Sequence, residues 1–273
     1  KGDYCYFWLR KRNYTTVDAA RIVGDALRLR KIGFAGSKDK HAVTRQLCSA
    51  YGIAKEKIER VKLKDIELSF MGTGKKRINL GHNIGNSFEI KVYNYKKYRP
   101  INWFINYFGE QRFGKENWLI GKKILKKEKV DLDYKRKRFC IAAYQSYLWN
   151  KCAKEYIKRK VKTISIGDYI FPKITIKNIQ IPIINFDTIL KKETGAIYKK
   201  ILREEKITLQ DFILRHEQNL ISETVMRDLI IKVNNLIFKN DTLTFTLPKG
   251  AYATVFLRTL FQEDIMRENN SHK

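Results

Sequence analysis

One carboxylate stands alone in a basic stretch. Asp39 sits between Lys38 and Lys40 and beside His41, within Phe34-Ala-Gly-Ser-Lys-Asp-Lys-His-Ala-Val-Thr-Arg-Gln46. A short apolar strand leads into a glycine turn, and the acid follows. Neighbouring cations favour an ionised carboxylate, and an ionised aspartate can serve as a nucleophile or a base. The pattern alone leaves two readings open: a working acid, or a surface ion pair that caps a turn.

A second chemical unit is Asn106-Tyr-Phe-Gly-Glu-Gln-Arg-Phe-Gly114. Aromatic faces such as that of Phe108 stack on extruded bases, and amides such as that of Asn106 read base edges. Arg112 adds a cation. The plainer reading is a helix end packed on the core. The stretch from Leu80 to Phe88 is a glycine-punctuated loop entering a strand. Leu247-Pro-Lys-Gly-Ala-Tyr-Ala-Thr254, followed by Arg258, is a tight turn that presents Tyr252.

Several chemistries are excluded by what is missing. Gly72-Thr-Gly-Lys75 lacks the spacing of a phosphate loop, with Ser69 where the first glycine belongs and Lys76 where the hydroxyl belongs. Neither a dinucleotide glycine fingerprint nor a G-x-S-x-G elbow occurs. Cys5, Cys48, Cys140 and Cys152 stand far apart, as do His41, His82, His216 and His272. That scatter predicts a reducing compartment, buried single cysteines and no metal.

Charge points to the partner. The 273 residues carry 56 Lys and Arg against 28 Asp and Glu, a formal net charge of +28. Such an excess attracts polyanions, nucleic acid first and anionic membrane surface second. An AT-rich genome, which inflates Lys, Ile, Asn and Tyr, is the bland alternative. The 44% hydrophobic share is enough for a core. No apolar run is long enough to span a membrane, and the start lacks the apolar region of a signal peptide.

These groups need elements to hold them. Tyr4 to Leu9 reads as a strand. Thr15 and Asp18 form a capping box for a helix with Ala20, Val23 and Leu27 on one face. Lys31 to Gly36 reads as a short strand and turn, and Ser87 to Tyr95 as a half-buried strand. Pro100 predicts the start of a helix through Ile101, Phe104, Ile105 and Phe108, ended by Gly109. Lys115 to Arg138 reads as a solvated helix face plus linker. Phe139 to Tyr156 places Ile141, Tyr144, Leu148, Cys152 and Tyr156 on one helical face. Short strands follow over residues 163–190, broken by Gly167, Pro172 and Pro182. A helix is predicted over Ser222 to Phe238, a strand over Thr242 to Leu247, and a last helix near Ala253 to Met266. Strands and helices that do not alternate regularly predict an α+β fold.

Taken together, the four units at residues 34–46, 80–88, 106–114 and 247–258 resemble the TruD-type pseudouridine synthases, archaeal and eukaryotic. The stretch from Ala143 to Asn150 is similar to a helix of the archaeal and eukaryotic members. The resemblance implies isomerisation of uridine to pseudouridine in RNA, chiefly tRNA at position 13, without cofactor or metal. It implies Asp39 as the catalytic residue, with nucleophile and C2′ base both open. Asn106, Phe108 and Tyr252 fall on positions that bind the target uridylate, Phe108 as the residue stacked on the base. Lys38, Lys40, His41, Arg112 and Arg258 are further RNA-contact candidates. The implied fold is a mixed, mainly antiparallel sheet flanked by helices. The implied domains are a catalytic one, at residues 1–129 and 230–273, and a shortened inserted TRUD domain at 130–229. Family members carry an F-x-V-x-E segment before the first strand. The chain begins at Lys1, where that segment would end, so a fragment or an incomplete site is expected. A monomer in the cytoplasm (or nucleus, if eukaryotic) is expected, with no membrane contact. The alternative is a non-catalytic RNA-binding or RNA-chaperone protein derived from the family.

Overall fold

The computed structural model describes residues 2–214 and 223–263. The chain forms two compact units, Lys1–Ile84 and Gly85–Lys273. Each buries its own hydrophobic cluster.

In the first unit, Tyr4–Arg12 (β1) alternates strictly, with Cys5, Phe7, Leu9 and Lys11 pointing inward. Thr16–Leu27 (α1) starts at the predicted cap. The Thr15 hydroxyl accepts from the Asp18 N–H at 3.1 Å and donates to the Asp18 carboxylate at 2.7 Å. Gly33–Phe34 (β2), Val43–Tyr51 (β3), a short helix Lys55–Glu59 (α2) and Ile66–Gly74 (β4) follow. The sheet order is β2-β3-β1-β4 and all pairings are antiparallel. Ala19, Ala20 and Val23 of α1 bury against Phe7, Leu9 and Cys48. Burial of such side chains stabilises by roughly 1.5–3 kcal/mol for each large one. The loop between β2 and β3, which carries Asp39, is held at both ends by this sheet.

The second unit begins with Gly85–Lys91 (β5) and Trp103–Ile105 (β6). Three helices follow: Glu110–Phe113 (α3), Asn117–Leu125 (α4) and Tyr134–Lys160 (α5). Next come Thr163–Ile166 (β7), Tyr169–Pro172 (β8), Gln180–Ile183 (β9) and Lys192–Glu205 (α6). The rest comprises Val225–Asp228 (β10), Ile230–Lys232 (β11), Asn234–Lys239 (β12), Thr242–Pro248 (β13) and Ala253–Phe261 (α7). Small antiparallel sheets join β12-β13-β5, β11-β6, β10-β9 and β7-β8. The long helix α5 buries the five predicted residues Ile141, Tyr144, Leu148, Cys152 and Tyr156, with Trp149 beside them. Helix α4 packs close against it because Gly121 lacks a Cβ, which would lie 2.1 Å from the Cys140 carbonyl oxygen. The fold is α+β with antiparallel sheets, and all four cysteines are free and buried. Among the described residues, no helix is long and apolar enough to cross a membrane.

Two expected helices are strands. The stretch after Pro100 is irregular and then extended, because Phe104 and Ile105 of β6 pair with Ile231 and Ile230 of β11. The described part of Ser222–Phe238 forms β10, β11 and the start of β12. Its apolar residues are largely β-branched, and Asn235 sits at a φ of 53° where the β12–β13 register shifts. Met266, His216, Ser222 and His272 lie outside the described residues.

Candidate active site

The Asp39 side chain is exposed, and its loop is fixed from behind through the main chain. Lys11, inward on β1 and only 1% exposed, donates from Nζ to the Asp39 carbonyl at 2.8 Å and to the Tyr14 carbonyl at 2.6 Å. The Thr16 hydroxyl accepts from the Lys38 N–H at 2.8 Å and from Gln46 Nε2 at 3.1 Å. Burial pushes the Lys11 ammonium down from its ordinary pKa, while the Asp39 charge opposes that shift and the Lys38 charge adds to it. Burial also pushes Lys38 down, again opposed by Asp39. Lys40 and His41 are exposed beside the acid, and Lys38 is half-buried. The first unit thus presents an accessible carboxylate among cations.

The second unit gathers Asn106, Phe108, Arg112 and Tyr252. Asn106 directly follows β6, Phe108 precedes α3, and Tyr252 caps α7. Asn106 is 4% exposed. Its Nδ2 donates to the Asp228 carbonyl at 3.0 Å, and its Oδ1 accepts from Arg227 Nη2 at 2.6 Å. The main chain of Phe108 is clamped by Asn150, whose Oδ1 accepts from the Phe108 N–H at 3.0 Å and whose Nδ2 donates to its carbonyl at 2.9 Å. Tyr169 donates to that carbonyl as well, at 3.2 Å. The Phe108 ring meets Trp149 and Tyr252 edge-on, at centroid distances of 5.8 and 6.2 Å. Gly109 permits the Tyr252 approach, since a Cβ there would lie 2.7 Å from that ring.

Arg227 was hidden from sequence reasoning by its placement on an expected helix. Its guanidinium lies 4.0 Å from the Phe108 ring centroid and 5.4 Å from that of Trp149. It also donates to the Asn106 carbonyl at 3.0 Å and to the Gly250 carbonyl at 3.1 Å. Gly250 adopts a φ of 82° to turn that carbonyl inward, a conformation open to glycine. Burial pushes Arg227 down to about 10, with Tyr252 opposing, so it remains cationic near neutrality. Burial likewise lowers Arg112 and raises Tyr252. Arg112 Nε donates to Ser146 Oγ at 3.1 Å, with its guanidinium 5.2 Å from the Phe139 ring. The unit therefore holds an aromatic and cationic cluster with a buried amide at its base. Such a set suits a planar, anionic-backbone ligand such as a nucleotide.

Arg258, a further RNA-contact candidate, is buried. It is 2% exposed, its Nη1 lies 2.8 and 3.0 Å from the two Glu110 carboxylate oxygens, and its guanidinium lies 5.2 Å from the Tyr169 ring. It braces the start of α3. Among the described residues, no cluster of His, Cys, Asp and Glu could hold a metal ion.

A two-part sheet-and-helix fold with these features has known counterparts. The profile of the tRNA pseudouridine synthase D (TruD) family matches residues 1–133 and 174–260. A Nanoarchaeum equitans protein named "Probable tRNA pseudouridine synthase D" is 31% identical, over 97% of this chain and 88% of its own length. The Aquifex aeolicus tRNA pseudouridine synthase D is 28% identical, over 97% and 93%. A solved TruD-type structure from Methanosarcina mazei shares the fold, with a TM-score of 0.67 at 21% identity, covering 96% of this chain and 88% of that one. The chain belongs to the TruD family of tRNA pseudouridine synthases.

Proposed function

We propose that the protein converts uridine to pseudouridine in tRNA, at position 13, with Asp39 as the reacting carboxylate. The family match over most of the chain carries this reading. In the reaction the C1′–N1 bond breaks, the uracil turns, and C5 bonds to C1′ while the C5 proton is lost and N1 gains one. Asp39 acts as nucleophile at the sugar or as base at C2′, either of which needs an accessible ionised carboxylate. No redox change and no net hydrolysis occur, so Asp39 and the binding residues suffice without a cofactor.

Asn106, Phe108 and Tyr252 bind the extruded uridylate, with Phe108 as the stacking residue on the ring face that Arg227 does not cover, and Arg227 holds Asn106 and Phe108 in place. The target lies in a folded stem, so it must be flipped out at a cost of a few kcal/mol. Contacts from cations such as Lys38, Lys40, His41 and Arg112 to the RNA backbone offset that cost. The catalytic domain comprises residues 1–129 and 230–273, and the inserted segment 130–229 contributes to RNA recognition. The enzyme works in the cytoplasm as a monomer.

Incubation with an unmodified tRNA transcript, followed by carbodiimide modification and primer extension, tests the reading. A carbodiimide-dependent stop reporting position 13 is expected. A transcript that stays free of adduct at every uridine would overturn it.

A further inference from the structure

A buried lysine is an unusual choice for the inner face of a sheet. Taking an ammonium out of water costs several kcal/mol, a cost that an apolar side chain at the same position avoids. Lys11 nevertheless occupies such a place on β1, between Leu9 and the end of the strand, at 1% exposure. Its two hydrogen bonds do not tie sheet to core. They run to the carbonyl of Tyr14, just before the cap of α1, and to the carbonyl of Asp39, 28 residues away.

Thr16 makes the matching contact one residue earlier in the loop. Its hydroxyl is 1% exposed as a residue, receives the Lys38 N–H, and is itself fixed by Gln46 Nε2 from β3. Successive main-chain groups flanking the Lys38–Asp39 peptide are therefore gripped from the β1–α1 junction. The Asp39 side chain is left outside, exposed.

We infer that Lys11 and Thr16 are positioning residues for the reaction: together they form a two-point main-chain clamp that fixes the Asp39 carboxylate while leaving it free to reach substrate. The inference rests on Asp39 being the reacting acid. A clamp on the main chain suits this task, because a hydrogen bond to the carboxylate itself would occupy the oxygens that must react. Displacement of a reacting group by about 1 Å can cost roughly 100-fold in rate, so release of the clamp reduces the chemical step and spares RNA binding.

The test uses Lys11→Met, Thr16→Val and Asp39→Asn in the full chain. Single-turnover pseudouridine formation, Kd for tRNA, thermal midpoint and hydrogen exchange at the Lys38 amide are measured for each. Lys11→Met and Thr16→Val are expected to lower the single-turnover rate by about 100-fold with Kd within about twofold. The Lys38 amide should exchange faster, most clearly in Thr16→Val, and Lys11→Met, which takes the donor from the Tyr14 and Asp39 carbonyls, should stay folded with a lowered thermal midpoint. A folded Lys11→Met or Thr16→Val that turns over at the full rate, beside an inactive Asp39→Asn, overturns the clamp alone. Full activity of Asp39→Asn overturns the underlying catalytic reading and the clamp with it. Should Lys11→Met fail to fold, Thr16→Val decides by the same criteria.

Discussion

The Asp39 loop and the Phe108 cluster solve opposite problems. In the first unit, the side chain of interest is exposed and only its main chain is held. In the second, the side chains hold one another. Asn106 is bonded to Arg227 and to the Asp228 carbonyl, Phe108 is clamped by Asn150, and Arg227 lies across the Phe108 ring. A group that must form or break bonds has to keep its own polar atoms available. Groups that shape a binding surface gain by interlocking, because a prepaid geometry lowers the ordering cost when a ligand arrives. The difference teaches that a surface can be ordered in two separate ways: a grip on the main chain leaves the Asp39 side chain exposed, whereas interlocked side chains bury Asn106.

That contrast gives a ranking of stability effects. Arg227→Ala should cost most, about 4 kcal/mol. It strips partners from the buried Asn106 oxygens, at about 1–3 kcal/mol per unsatisfied group, and removes the stack on Phe108. Arg227→Lys should recover little, because one ammonium cannot reproduce the planar fork. Chemical denaturation with both variants tests this, and a loss below about 1 kcal/mol in Arg227→Ala would break the picture of an interlocked cluster.

Next comes Glu205, at the end of α6. Its carboxylate accepts from Lys122 Nζ at 2.5 Å and Lys151 Nζ at 2.9 Å, with the Tyr144 and Tyr147 hydroxyls at 3.3 and 3.4 Å. Glu205→Gln should cost about 3 kcal/mol, the lower end for breaking a buried pair, since both lysines are about a quarter exposed. Burial pushes the Glu205 carboxyl up, but the hydrogen bonds and charges of Lys122 and Lys151 outweigh it and hold the pKa below its ordinary value. A lowered folded pKa means the contribution is complete above the ordinary glutamate range and is lost as pH falls through the folded value. The gap between the unsubstituted protein and Glu205→Gln should therefore narrow in acid. Thermal melts at pH 7 and pH 3 measure it, and a gap that is constant with pH would contradict the assignment.

Phe108→Leu should be milder, under about 2 kcal/mol, since a large apolar side chain remains. It should lower pseudouridine formation more than tRNA affinity. Equal losses in both would make Phe108 a packing residue only. Asp39→Asn stands last on this scale, within about 0.5 kcal/mol of the unsubstituted protein, as for other exposed substitutions.

Local signals were readable wherever a local rule fixed the structure. The Thr15–Asp18 cap of α1, the buried face of α5 and the alternation of β13 all follow from short-range spacing. The two misread helices share one cause. Phe104 and Ile231 pair across a long stretch of chain, and a run of residues such as Val225, Leu229, Ile230 and Val233 satisfies a helical period as well as a strand one. Only the distant partner decides between them. Arg227 was lost for the same reason, because its neighbours come from the segment that follows β6 and from the Gly250 turn. Lys11 was invisible for another: a lysine on an alternating strand gives no sign that its ammonium is buried against a loop carbonyl. The β-branched enrichment of residues 225–237 and the Asn234–Asn235 pair were the signals that favoured strands.

The account depends most on Asp39 doing chemistry. Its direct test is the Asp39→Asn protein beside the unsubstituted one on the same unmodified tRNA transcript, with pseudouridine read by carbodiimide primer extension and affinity by filter binding. Abolished pseudouridine formation with binding nearly unchanged is the predicted result. Undiminished turnover by Asp39→Asn would contradict it and remove Asp39 from the mechanism.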